Sequence, residues 1–258
     1  MKPKRSATPT GQIRPGKVQK EYAPVLRRVR ESCVGLLGSD LVGIYVHGSI
    51  AFGCFNWEKS DIDYIAVINE ALSAEAKKEL CREALEISKS APPKGLEASF
   101  VLREHCAAFK YPTPYELHVS KEHSKIEGGV DKDLAAHFTV IKAVGFPLCG
   151  EPIDRVFGEV PAGHYLDSLI FDIENARENI NRDQFYYILN LCRVLAYKQD
   201  GLILSKKQGA RWALENTDRK YCGVIQTALN WYSSEQEAAI DDSLALEFCS
   251  LMLCRIYG

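Results

Sequence analysis

The chain has 258 residues, with 34 acidic against 32 basic side chains and a formal net charge of −2. That balance gives no global pull toward nucleic acid or an anionic membrane, and no run approaches the roughly 20 apolar residues a membrane span needs. The length suits two domains, and with 46% hydrophobic and 26% charged residues the composition is that of an ordinary soluble globular protein.

Residues 1–20 carry six Lys or Arg, three Pro and no acid, so a disordered basic tail is expected there. Tyr22, Val25, Leu26, Val29, Cys33 and Leu36 then share one helical face, and Gly38 ends the helix. Residues 41–46 read as a short strand, residues 48–60 as a loop rich in small residues at its start, and residues 62–68 as a second strand. Ser73 is the expected N-cap of a helix running to Lys89, and Pro92, Pro93 and Gly95 make the turn that follows. Between residues 96 and 102 the pattern alternates: Leu96, Ala98, Phe100 and Leu102 face one way, Glu97, Ser99 and Val101 the other. A further strand surrounds residues 116–119, and a helix fits residues 133–144.

After Pro152 the character changes. From about Tyr165 to Tyr257 the pattern is almost entirely helical, with breaks at Gly201, near Asn216–Asp218 and near Ser233. The expected fold is therefore α+β: an N-terminal domain of mixed sheet and helices over residues 21–157, then an all-helical domain over residues 158–258. The nine cysteines include no C-x-x-C pair and sit mostly among apolar neighbours, which suits buried thiols in a reducing cytoplasm. The N-terminus lacks the apolar stretch of a secretory signal, and cytoplasmic localisation is the expectation.

The chemistry is concentrated in Gly48-Ser49 followed by Ser60-Asp61-Ile62-Asp63. Side chains two apart on a strand point to one face, so Asp61 and Asp63 project together, about 7 Å apart at the backbone. Carboxylate oxygens are hard ligands suited to Mg²⁺, whose remaining shell is filled by phosphate oxygens and water. Gly48 lets the backbone approach a phosphate, and Ser49 adds a hydroxyl beside exposed amides. Each piece alone is common; the order strand, loop, strand with about a dozen residues between the halves is far more specific.

The stretch His47-Gly48-Ser49-Ile50-Ala51-Phe52-Gly53, with Ser60-Asp61-Ile62-Asp63, resembles the DNA polymerase β-type nucleotidyltransferase superfamily. Leu189-Asn190-Leu191-Cys192-Arg193-Val194-Leu195, Ser205-Lys206-Lys207 and Gly209-Ala210-Arg211-Trp212-Ala213 are similar to the helical domain of one branch, the aminoglycoside nucleotidyltransferases that adenylylate streptomycin and spectinomycin. The resemblance implies a polymerase β-like N-terminal domain, two Mg²⁺ ions, ATP as co-substrate, and a small-molecule aminoglycoside or aminocyclitol acceptor. No membrane partner, no nucleic-acid partner and a monomer are the expectations for the chain. Asp61 and Asp63 would hold the metals, with Gly48, Ser49 and Ser60 at the phosphates. Asp133, Arg193, Lys206 and Tyr232 match nucleotide-contacting positions, and Glu97 matches the general base.

The residues themselves agree in part. Glu97 lies on the polar side of an otherwise apolar strand, where a solvated sheet face is the alternative. Arg193 sits among leucines and valines and calls for an anionic partner. Lys206 could be solvated, and Asp133 could be a helix-start acid favoured by the dipole. On the acceptor side the candidates are Glu97, His118, Asn179, Asp183 and Tyr186, with Asp172 and Glu174 available to receive an amine. His118 is the one histidine expected in the cleft; the others read as structural. Streptomycin-using enzymes carry a tryptophan where this chain has Ser120-Lys121-Glu122-His123, and an acid where it has Asn179. Both departures point to spectinomycin. A nucleotidyltransferase acting on protein or RNA, served by the basic tail, and a nucleotide-binding antitoxin-like module are the other readings.

Overall fold

The structure, a computed structural model, describes residues 17–121, 124–234 and 238–258. Glu122, His123 and residues 1–16 of the expected tail lie outside them. Helix α1 (Lys17–Leu37) begins inside the stretch expected to be tail. It buries Val25, Leu26, Val29 and Cys33, but Leu37 in place of the expected Leu36, which is 42% exposed. Leu37 is four residues beyond Cys33 and holds the apolar stripe that Leu36 leaves. Gly38 follows at φ 52°.

The N-terminal part continues with β1 (Leu41–Val46), α2 (Gly48–Ala51), β2 (Ile62–Ile68), α3 (Ala74–Ser88), β3 (Leu96–Leu102), α4 (Arg103–Ala107), β4 (Thr113–Tyr115), β5 (Leu117–Ser120), β6 (Ser124–Lys125), β7 (Gly129–Asp131), α5 (Leu134–Val144), β8 (Phe146–Gly150) and α6 (Ile153–Val156). A six-stranded sheet runs β6-β5-β3-β2-β1-β8, and β4 pairs with β7 in a separate small sheet. All main-sheet pairings are antiparallel except β2 with β3. The helix between β2 and β3, α3, returns the chain for that parallel step, and Ser73 caps it as expected by accepting from the Ala76 N–H.

Alternation divides the core. Ile44, Val46, Ile62, Tyr64, Ala66, Leu96, Ala98 and Phe100 pack with α1 and α3 on one face, while Tyr45, Ile65, Val67 and Val101 meet Leu134, Phe138 and Ile141 of α5 on the other. Strand β8 was not foreseen. Its Pro147 and Gly150 read as turn residues, and they are tolerated because β8 pairs only with β1, at the sheet edge.

The C-terminal part is helical: α7 (Ala162–Phe171), α8 (Ala176–Asn179), α9 (Gln184–Asp200), α10 (Lys206–Asn216), α11 (Cys222–Ser233) and α12 (Asp242–Tyr257). The expected breaks hold, with Gly201 closing α9 at φ 67°. Helix α9 is the hub, and Ile188, Leu189, Leu191, Cys192, Val194 and Leu195 are buried all round it. At Gly209 an added Cβ would lie 2.8 Å from the Arg193 backbone, so the missing side chain lets α10 press against α9. No helix is long and apolar enough to cross a membrane among the described residues. The cysteines are free thiols.

Candidate active site

The glycine-serine turn and the acidic pair meet because β1 and β2 are neighbours. Gly48 has φ 58°, and a Cβ there would fall 1.8 Å from Asp63 Oδ2. No side chain fits. The Ser49 backbone N–H donates to the Asp63 carboxylate, while the Ser49 hydroxyl is buried without a partner. Such an orphan is unusual in a folded protein and points to a ligand group that satisfies it.

Strand register supplies the third carboxylate. Asp63 and Glu97 are direct partners in the parallel β2–β3 pair, and oxygens of Asp61, Asp63 and Glu97 all lie within 4.8 Å of one another. Burial, followed by the charges of Asp61 and Glu97, pushes the Asp63 carboxyl well above the usual carboxylate range. Burial also raises Glu97, with Asp61 and Asp131 adding and His137 opposing. Crowded, partly desolvated carboxylates are costly alone, and a hard divalent cation is the group that relieves them. The oxygen-only donor set, the tight glycine and the free serine hydroxyl fit a metal bound with phosphate.

The helical part faces this cluster with two cations. Ser205 caps α10 through a capping box, which fixes Lys206 at the first helical position. Lys206 Nζ sits 4.5 Å over the Tyr186 ring; burial and the nearby Arg193 lower its pKa, and Asp172 and Asp61 oppose them. Lys206 is thus not the solvated lysine of the alternative reading. The anionic partner that Arg193 required is a protein carboxylate: Nη2 donates to Asp172 Oδ2 at 2.5 Å. Asp172, expected as free to receive an amine, is engaged by Arg193 and by the Tyr186 hydroxyl at 3.4 Å.

Ser60 and Tyr232 meet at the seam. Their hydroxyls are 3.2 Å apart, and the Asn56 side-chain amide donates to the Tyr232 carbonyl at 2.9 Å. Asp133 heads α5 without a side-chain capping bond. Its carboxyl is pushed up to about 7, by burial first and then by Asp172, so it is not a dipole-favoured surface acid.

His118, expected in the cleft, lies beside Glu97. A cavity of about 320 Å³ beside Glu97 is lined also by Tyr115, His118, Ser120, Lys125 and Asp131, and His118 Nδ1 lies 3.1 Å from the Ser99 hydroxyl. Asn179 and Asp183 also have local partners: Asn179 bonds the Asn175 carbonyl and Arg182, and Asp183 caps α9 at the Tyr186 N–H. His137, read as structural, has its Nε2 3.9 Å from Glu97 Oε1. The available signal was its spacing, one helical turn after Asp133 on the same face. Asp131, which accepts from the Asp133 N–H at 2.9 Å, carried no signal because β7 is too short to read.

Residues 155–255 match the family model for the aminoglycoside adenylyltransferase C-terminal domain. Over 231 residues the chain is 25% identical to a spectinomycin 9-adenylyltransferase of Staphylococcus aureus, covering 85% of this chain and 87% of that one. It is 24% identical over 210 residues to an aminoglycoside (3'') (9) adenylyltransferase of Escherichia coli, covering 76% and 80%. Among solved structures it is similar in fold to the spectinomycin adenyltransferase AAD(9) of Enterococcus faecalis, crystallised with ATP and spectinomycin: TM-score 0.80 and 17% identity, over 92% of this chain and 99% of that one.

Proposed function

We propose that this chain, a homologue of the aminoglycoside adenylyltransferases whose helical part belongs to their C-terminal domain family, transfers AMP from ATP to a hydroxyl of a spectinomycin-type aminocyclitol. The observation that carries this reading is the triad of Asp61, Asp63 and Glu97 within 4.8 Å, opposite Arg193 and Lys206. A binding module has no need of a third carboxylate beside the pair. We take residues 21–157 as the nucleotidyltransferase domain and 158–258 as the helical domain, with ATP between them.

Asp61 and Asp63 would hold two Mg²⁺ ions, which would supply neutralising charge at the phosphates. Gly48 and Ser49 cradle the phosphates, with Ser60, Tyr232 and Asp133 at the nucleotide. Glu97 takes the proton from the acceptor hydroxyl. The acceptor oxygen bonds to the α-phosphorus, the bond from that phosphorus to the bridging oxygen breaks, and pyrophosphate leaves. Arg193 and Lys206 neutralise the triphosphate and, coming from the second domain, couple closure to reaction. On the acceptor side we assign His118, Asn179, Asp183 and Tyr186.

An acceptor panel tests the reading. With labelled ATP and Mg²⁺, spectinomycin should take the label in preference to streptomycin, because the chain lacks the tryptophan near residue 120 and has Asn179 in place of an acid. Efficient streptomycin turnover would show that these positions do not govern choice. Failure with both, ATP still binding, would point to another class of acceptor.

A further inference from the structure

His137 is left without a role by the account above. It lies on α5, one turn beyond Asp133, with the His137 N–H bonded to the Asp133 carbonyl at 3.0 Å. Its ring packs on His47 with centroids 4.6 Å apart, and its Nε2 faces Glu97 Oε1 at 3.9 Å. Its Nδ1 is buried with no partner.

That pattern fixes where the ring carries its proton. A neutral imidazole has one N–H and one bare nitrogen. An N–H at the buried Nδ1 would be an orphan donor, and buried donors are satisfied more strictly than acceptors. The N–H therefore sits on Nε2, the nitrogen aimed at Glu97. The His47 ring holds the His137 plane from one side.

We propose that His137 is a positioning residue for Glu97: its Nε2–H donates to one carboxylate oxygen and turns the other toward the acceptor hydroxyl. The separation of 3.9 Å is beyond a formed hydrogen bond. Active-site bonds are often long in the free enzyme and tighten with substrate. Without this donor the Glu97 carboxylate is repelled by Asp61 and Asp131 and attracted by Lys206, and it loses the contact that sets which oxygen faces the acceptor. The inference rests on the reading of Glu97 as the base.

The test compares His137→Phe, which keeps a ring, with His137→Gln, whose amide N–H can take the place of Nε2–H. Each is made in the wild-type and in the Glu97→Gln background. Spectinomycin adenylylation gives kcat and KM, and calorimetry gives affinity for Mg²⁺-ATP. His137→Phe should lower kcat on the order of 10–100-fold, the worth of a hydrogen bond to a charged group, with ATP affinity unchanged. His137→Gln should recover most of that loss. In the Glu97→Gln background the Phe change should cost nothing more, because the two residues act as one unit.

Wild-type kcat in His137→Phe would overturn the proposal. So would equal losses in Phe and Gln, an undiminished loss in the Glu97→Gln background, or a loss traced to ATP affinity. If melting shows that His137→Phe does not fold, His137→Leu takes its place against Gln. A wild-type protein that transfers no AMP would instead remove the parent reading, an outcome separate from every variant pattern above.

Discussion

Asp133 owes its proton affinity to its surroundings: it is buried with Asp172, Asp131 and Glu97 near it and His137 opposing. Its carboxyl, at 3.8 in the ordinary state, is pushed up to about 7 in the fold. The folded protein therefore holds a proton that the unfolded chain releases, and that stability is present at low pH and lost as pH rises through the window between the two values. In metal-free protein, the stabilisation given by Asp133→Asn should grow from about pH 4 to about pH 7 and level off above it. Thermal melts across that range check this, and a gain constant with pH would refute the burial account. Individual residues were unevenly legible. Asp61 and Asp63 stood out through their spacing after Gly48-Ser49, and Glu97 because a carboxylate on a half-apolar strand breaks a regular pattern. His137 did not, because a single histidine on an amphipathic helix looks the same whether it meets a carboxylate or the core. Asp172 was read as open to an amine, since nothing in the sequence pairs it with Arg193, twenty-one residues on.

Elements with a strong period were read almost to their ends. The strands over 41–46, 62–68 and 96–102 and the helix capped by Ser73 matched because alternation and capping are local signals. Strand β8 and the β4–β7 pair were missed because short edge segments draw their order from neighbours that only the fold supplies. The contact between α9 and α10 belongs to this scale. Arg193 and Lys206 share one space because Gly209 has no side chain, and an added Cβ would meet backbone that cannot yield cheaply. Gly209→Ala should destabilise the protein by about 1–3 kcal/mol, the usual cost of overpacking, and should raise the KM for ATP by displacing Lys206. Melting and ATP titration measure the two effects. An alanine variant that melts and binds like the wild type would show that the helices do not need this approach.

In the whole molecule the groups proposed to react are divided between a sheet part and a helical part that meet at a polar seam. The sheet side brings Asp61, Asp63 and Glu97; the helical side brings Arg193 and Lys206; Asn56, Ser60 and Tyr232 are hydrogen-bonded across the join. The change of pattern near Pro152 made the two parts visible in the sequence, but not the facing of their charges, which depends on how the parts dock. AMP transfer is assigned above all to the paired aspartates at the start of β2, Asp61 just before the strand and Asp63 within it. Mass spectrometry of spectinomycin incubated with ATP, Mg²⁺ and either wild-type protein, Asp61→Asn or Asp63→Asn tests it most directly. The wild type should yield spectinomycin carrying one added AMP, and both variants should yield none while melting, without metal, at or above the wild-type temperature, since each loses a repelling charge. An adenylylated product formed by either variant at a rate near the wild type's would contradict it.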